Sequence, residues 1–490
     1  MKQVKNISLF LLFLCVAVLI GLVSCADNNA KAGGNTSSDL SGAGVSDEAE
    51  TTEYCKADVP VNNYDGYNFR FLTNDHNSLT WAYTTMDVES TIAEPINDAV
   101  YKRNRAVEEL YSVKITDYPK NFGEVENTAV KSIKSGESEY DVVIEDIRHT
   151  ATLLTQKYLT DISGIPYINT KNKWWDSNIE RDLTVCGYKY FLGGDYTLSH
   201  YDTTCILAFN KNLAAEYHSG DPYELVLNGN WTFDTFEKML TTVTDDLDGN
   251  GVYNENDRYG LSSLSFVFYP SFMTGAEALA IAPDADGYPS YVLGSDHNTA
   301  VFERLLNMMH IENAVYDVVP KSKPHQLALD MFAADKALFW SQLVYWTTQL
   351  RDMKSDFGII PYPKFDEKQQ NYEAMMFGSP LSMIPTTNTE LERTGILLEY
   401  MAAYSRNELI PAYYDITMKE KVSRDETTKQ ILDLIFGNRC YTLSQAYFVS
   451  VEDGLTRLFE QNKNTFTSYV ASNEKIANKL IEKFVNSITK

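Results

Sequence analysis

Positive charge is scarce. The 490 residues include 42 Lys and Arg against 67 Asp and Glu, a formal net charge of −25. Binding nucleic acid or an anionic bilayer surface needs a surplus of cations, so composition excludes both as partners. Cysteine is sparse too, at 6 residues, and a chain this long does not need disulfides to be stable. The seven histidines, at 76, 149, 200, 218, 297, 310 and 325, have no ligand spacing. Gly-x-Ser-x-Gly, His-Glu-x-x-His and Gly-x-x-x-x-Gly-Lys-Ser/Thr are all missing. These absences point away from an enzyme. An exported glycoside hydrolase stays open, because its two carboxylates come from distant loops and acidic residues are plentiful. Beyond residue 23, no apolar run reaches the ~18 to 20 residues that a membrane span needs.

What is present starts with an export signal. Lys2 and Lys5 precede the apolar run Ile7–Val23, which ends in Leu22-Val23-Ser24-Cys25. A charged start followed by an apolar middle is what export machinery reads. The Leu-x-Ser-Cys ending resembles the bacterial lipoprotein box, which implies removal of 1–24 and a palmitate-type diacylglycerol anchor on Cys25. Residues 25–57 are rich in Asn, Gly, Ser, Ala and acids, too polar to fold, and read as a lipidated flexible tether. A coil of about 30 residues spans roughly 30 Å.

Apolar content of 44%, with 23 Phe, 32 Tyr and 6 Trp, fills sizeable cores, and the length suits two to four domains. Phe69–Leu72, Val113–Ile115 and Val142–Ile144 read as strands separated by helices over about 92–111 and 123–135, the pattern of a parallel α/β sheet. The pattern recurs with strands at Ile206–Phe209, Tyr259–Leu261, Ala337–Trp340 and Phe357–Pro361, helices near 231–243 and ending near Phe332, and a helical C-terminal third. The body's four cysteines are Cys55, Cys186, Cys205 and Cys440. Cys186 and Cys205 bracket a hairpin; they either pair or stay free as buried thiols.

Tyr140-Asp141-Val142-Val143-Ile144, Leu207–Leu213, Asn230–Phe236, Met331–Ala337 and Phe357–Pro363 occur in this order along the chain. Together they resemble recurring phrases of the extracellular solute-binding proteins of bacterial ABC importers (family 1), which include maltose-binding protein. The resemblance implies an α/β, two-lobed, periplasmic-binding-protein-like (type II) fold whose chain crosses a hinge more than once. It implies lobe 1 at 58–197 plus 337–377 and lobe 2 at 198–336 plus 378–490. It further implies a monomeric cell-surface lipoprotein that captures a carbohydrate, an oligosaccharide above all, by hinge closure and presents it to an ABC permease. A peptide ligand, or sensing instead of import, is the alternative.

Sugars offer apolar C–H faces and hydroxyl rims, so their sites combine aromatic platforms with carboxylates and amides, placed where open sheets bind ligands, at strand C-terminal ends. The candidates are Asp75 and His76 after the first strand, Asp146 after Val142–Ile144, Asp195 and Tyr201 at the crossover, and Trp340, Tyr345 and Trp346 after Ala337. Trp174/Trp175 and Gly378-Ser379 are weaker candidates.

The sharpest local motif runs from Asp246 to Asp257. Asp246, Asp248, Asn250, Asn254 and Asp257 place oxygen donors at positions 1, 3, 5, 9 and 12, with the Val252 carbonyl at 7 and Gly251 at 6. This is the layout of an EF-hand calcium loop, with Asp in place of the usual Glu at 12 and no obvious second helix. A structural Ca²⁺ is expected there, and no catalytic cofactor.

Overall fold

The computed structural model describes residues 54–419, 426–461 and 463–489. The signal peptide, Cys25 and the tether up to residue 53 lie outside the described residues. The end of the expected tether does not. Cys55 and Ala57 are buried, and the Cys55 backbone N–H and carbonyl both pair with the Asn407 amide at 2.8 Å. The body therefore starts near residue 54, because one distant amide satisfies a peptide unit that composition alone marks as unfolded.

The first three strands are β1 (Tyr67–Asn74), β2 (Val113–Lys120) and β3 (Val142–Asp146). Then come β4 (Cys205–Asn210), β5 (Tyr259–Ser263), a hairpin β6–β7 (Ile281–Pro283 and Pro289–Tyr291) and β8 (Val315–Asp317). β9 (Ala337–Leu343), β10 (Phe357–Ile360), β11 (Ala374–Met375), β12 (Pro380–Met383) and β13 (Arg439–Cys440) complete the set. One sheet has the order β12-β3-β1-β2 and the other β10-β4-β9-β5-β8, while β11 and β13 form a separate parallel pair. Helix-linked β1, β2 and β3 are mutually parallel as expected, but β12 runs antiparallel to β3, and β4 antiparallel to β9 and β10, so both sheets are mixed.

Local chemistry sets the elements. Glu94 caps the helix Pro95–Tyr111 by accepting from Ile96 and Asn97 N–H, with Pro95 at a position that lacks a hydrogen-bond partner anyway. Within that helix Arg103 is fully buried and donates to the carbonyls of Tyr196 at 2.7 Å and Met86 at 2.9 Å, fixing the loop after β1 to the crossover. In the second lobe Trp231 is fully buried against Phe236 and Phe339, and donates to Pro361 O at 2.9 Å.

The lobe boundaries differ from those the resemblance implies. Residues 337–360 join the second sheet as β9 and β10: β9 is buried along its whole length and sits between β4 and β5, a position only a two-sided apolar strand can fill. Residues 378–490 divide. β12 returns to the first sheet and the helix Leu391–Lys419 packs on Pro95–Tyr111, whereas the helix Glu426–Gly437 packs on β10 of the second. Cys186 and Cys205 are both free thiols. Cys186 sits on a tight turn, and the helix Ser199–Asp202 precedes Cys205, so no hairpin brings the two together.

Several carboxyls are buried between elements. Glu145 accepts from Asn74 Nδ2 at 3.0 Å and Asp146 N at 2.8 Å, yet burial pushes it up to about 8. Asp202, which joins Tyr83 N at 2.8 Å to Tyr413 Oη at 2.9 Å, is pushed up by burial to about 7. Both groups hold protons in the folded state that the unfolded chain has already released. Stability from these two groups is therefore fully present at the acid end and is lost as pH rises from the ordinary carboxylate range through 7 and 8. Glu145→Gln and Asp202→Asn should each flatten the fall in melting temperature between about pH 5 and pH 8. An unchanged slope in both variants, read by thermal denaturation across that range, contradicts the assignment.

Candidate functional site

Arg148, two residues past β3 of the first sheet, and Phe266, three past β5 of the second, border one groove together with Phe377 of the crossing. At the end of β3, Asp146 caps the short turn Ile147–His149 and grips Arg148 through two nitrogens, Nε at 3.0 Å and Nη2 at 2.6 Å. The guanidinium lies 4.6 Å from the centre of the Phe377 ring. Gly378, at φ +57°, is required beside it, because any Cβ there would overlap the Arg148 guanidinium. Phe377 begins an unbroken chain of rings. Phe266, just past β5, lies 6.3 Å from it and 5.7 Å from His325, which stacks at 5.3 Å and 23° on Trp346, which meets Tyr345 edge-on at 5.5 Å. Burial lowers the His325 pKa, so this ring is neutral near pH 7.

Arg148, Phe266, Phe377, Gln445 and Glu460 border a cavity of ≈ 400 Å³. Gln445 accepts from Gly378 N at 3.1 Å, while its Nε2 has no hydrogen-bond partner, nor does Ser379 Oγ at the crossing or Ser263 Oγ at the end of β5. Buried polar atoms left unpaired cost about 1–3 kcal/mol each, and of these three residues only Gln445 borders the cavity.

The expected residues separate into three groups. Asp146 is fully buried with its carboxylate committed to Arg148, and Tyr345 and Trp346 belong to the ring chain that runs back from Phe266. On the adjoining loop after β1, the half-buried Asp75 accepts from Asn77 N at 3.0 Å as a turn cap, and His76 lies 5.8 Å from Tyr83 with Nδ1 unpaired. Trp340 is not a platform: it is fully buried within β9 and stacks on Phe332 at 5.7 Å. Trp174 and Trp175 are likewise buried, both indoles donating to Glu399. Asp195 and Tyr201 are elsewhere, hydrogen-bonded to each other at 2.9 Å and lining a separate cavity with Arg406 and Arg439. Sequence reasoning missed Arg148, Phe266, His325, Phe377 and Gln445. Only Phe266 and Arg148 carried a signal, each standing two or three residues past the end of a strand.

In the Asp246–Asp257 loop three of the six expected donors come together. Carboxylate oxygens of Asp246, Asp248 and Asp257 lie within 4.8 Å of one another. Asp246 accepts from the backbone N–H of Gly251 at 2.7 Å and Gly249 at 2.9 Å, and these bonds lower its pKa. Asp257, fully buried, holds Leu247 N at 3.1 Å and Asn254 N at 2.8 Å. Asn250 Oδ1 accepts from Val252 N, and Val252 O from Asn254 Nδ2. The hard oxygen donors suit Ca²⁺. The loop leads into β5 rather than a second helix.

No family model matches the sequence, and no curated protein does. Solved structures do. UspC of M. tuberculosis superposes with a TM-score of 0.57 at 13% identity, covering 84% of this chain and 100% of that one. A cyclic α-maltosyl-1,6-maltose binding protein from Arthrobacter globiformis gives 0.56 at 12%, covering 85% and 99%. The ABC substrate-binding protein Lmo0181 from Listeria monocytogenes, solved with cycloalternan, gives 0.53 at 12%, covering 85% and 100%. With its two mixed sheets, repeated crossings and groove at the strand ends, the body of this chain has the two-lobed α/β fold of the ABC transporter solute-binding proteins.

Proposed function

We propose that this protein is the cell-surface substrate-binding lipoprotein of an ABC importer, tethered by lipid on Cys25, and that it captures an oligosaccharide between its lobes and hands it unaltered to a membrane permease. One observation carries the reading: an unbroken band of rings runs from Phe377 and Phe266, which border the cavity beside the Gln445 amide, back to Tyr345. Rings take the C–H faces of a sugar, and amide and hydroxyl groups take its rim. Structural neighbours whose ligands are maltooligosaccharides and cyclic glucans support the same choice. Glu145 and Asp146 are both engaged in the protein's own hydrogen bonds, which favours binding over carboxylate-driven hydrolysis. No described helix is long and apolar enough to cross a membrane, which suits anchoring by lipid. Ligand that touches both lobes favours the closed state by its differential affinity.

We also assign Ca²⁺ to the Asp246–Asp257 loop, where it stabilises the second lobe and takes no part in capture.

A thermal-shift screen tests the ligand. Melting should rise with one class of oligosaccharide, by mass action on the folded state. Trp346→Ala should weaken that ligand roughly 30-fold, the effect of losing about 2 kcal/mol from a central aromatic anchor. A response to peptides alone would replace the carbohydrate assignment. For the metal, calcium should raise the melting temperature, and Asp248→Ala should erase that rise while changing little in chelator. Equal loss in both buffers means that the loop holds no ion.

A further inference from the structure

Cations are outnumbered in this chain, 42 against 67, yet the groove reverses the balance. The charged side chains that border it, among the described residues, are Arg148, Arg457 and Glu460. Two of the three are already engaged. Arg148 is held by the Asp146 carboxylate at 2.6 Å, with its side chain 21% exposed, and packs its face on Phe377. Glu460 accepts from Ser265 Oγ at 3.2 Å.

Arg457 differs from both. It stands in the last turn of the helix Val449–Glu460, is exposed, and has no ion pair or hydrogen bond with any described residue. Although residues three apart on a helix are neighbours, Arg457 and Glu460 are not paired, so the guanidinium stays open to the groove. Its fork presents N–H groups side by side in one plane, which match the two coplanar oxygens of a carboxylate better than they match a single hydroxyl. The walls beside it are apolar: Phe266 comes from the second lobe and Phe377 from the crossing, and both can take the C–H face of a sugar ring.

We propose that the groove selects acidic oligosaccharides, with Arg457 receiving the carboxylate of a uronic acid residue while the ring lies against Phe266 and Phe377. The assignment rests on capture of an oligosaccharide in this groove and narrows its class. Glu460, one helical turn further on, repels an acid at its own position and thereby sets which way round the ligand lies. A sulfate ester carries the same charge, but its oxygens are tetrahedral and fit the planar fork less well.

The test is calorimetric titration of the full chain with trimers of galacturonate, guluronate and glucuronate. Each is compared with its carboxyl-reduced, neutral counterpart, and a sulfated neutral trimer serves as the rival anion. At least one uronate trimer should bind about tenfold tighter than its reduced form, and added NaCl should shrink that advantage. Arg457→Gln should abolish the advantage while leaving the reduced trimer within about twofold, since only the charge-assisted contact is lost. Glu460→Gln should preserve or enlarge it. Circular dichroism checks that the variants fold, as exposed positions allow. Equal or tighter binding of reduced trimers, equal loss of both forms in Arg457→Gln, or preference for the sulfated trimer each overturns the proposal and leaves oligosaccharide capture standing. Neutral glycans that bind when no uronate does have the same meaning. Binding of no glycan of either kind overturns both.

Discussion

A buried ion pair holds the crossing between the lobes, and both its partners border the cavity that Asp195 and Tyr201 line. Arg439 meets Asp176 at 3.1 Å with side chains 6% and 2% exposed, and Tyr441 donates to the same carboxylate at 2.9 Å. Such a pair adds little net stability, because desolvation offsets the attraction, but losing either partner strands a charge and costs about 3–5 kcal/mol. Its role is to specify geometry: β13 must lie against the edge of the first lobe, and the chain leaving β11 must cross at Phe377–Ser379. Burial lowers the pKa of the neighbouring His200, which leaves the guanidiniums of Arg439 and Arg406 as the cations there.

The groove and the hinge are therefore one mechanical unit. Arg148 packs on Phe377 and against Gly378, and Gln445 accepts from Gly378 N, so the residues that border the groove also touch the backbone that bends. A ligand seated on Arg148, Phe377 and Phe266 would contact lobe 1, hinge and lobe 2 together. That is the condition for shifting a closure equilibrium, since a ligand moves it only by its differential affinity for the two states.

Strand and helix placement was largely legible from hydrophobic pattern. β1, β3, β4 and β9 read as apolar runs, and the helix at Phe233–Leu240 announced itself by Trp231-Thr232 at its start. The calcium-type loop was legible because all its donors are local in sequence. Reading from strand ends led to the neighbourhood of the groove, since Asp146 at the end of β3 holds Arg148, which borders it. Trp340 misled because a tryptophan within a strand buried on both faces has the same local sequence as one that faces a ligand. Asp195 and Tyr201 misled differently: the crossover places them at a cavity, but on the far side of the β11–β13 ladder.

Composition and spacing by themselves determined the acidic character, the α/β class and the donor pattern of the Asp246 loop, since each depends on neighbours within a dozen or so residues. Only tertiary structure decided that 337–360 belongs to the second sheet, that Arg148, Phe377 and Gln445 converge, and that Arg439 pairs with Asp176. Those facts depend on pairings between residues tens to hundreds of positions apart, where burial and register, rather than local preference, select the partner.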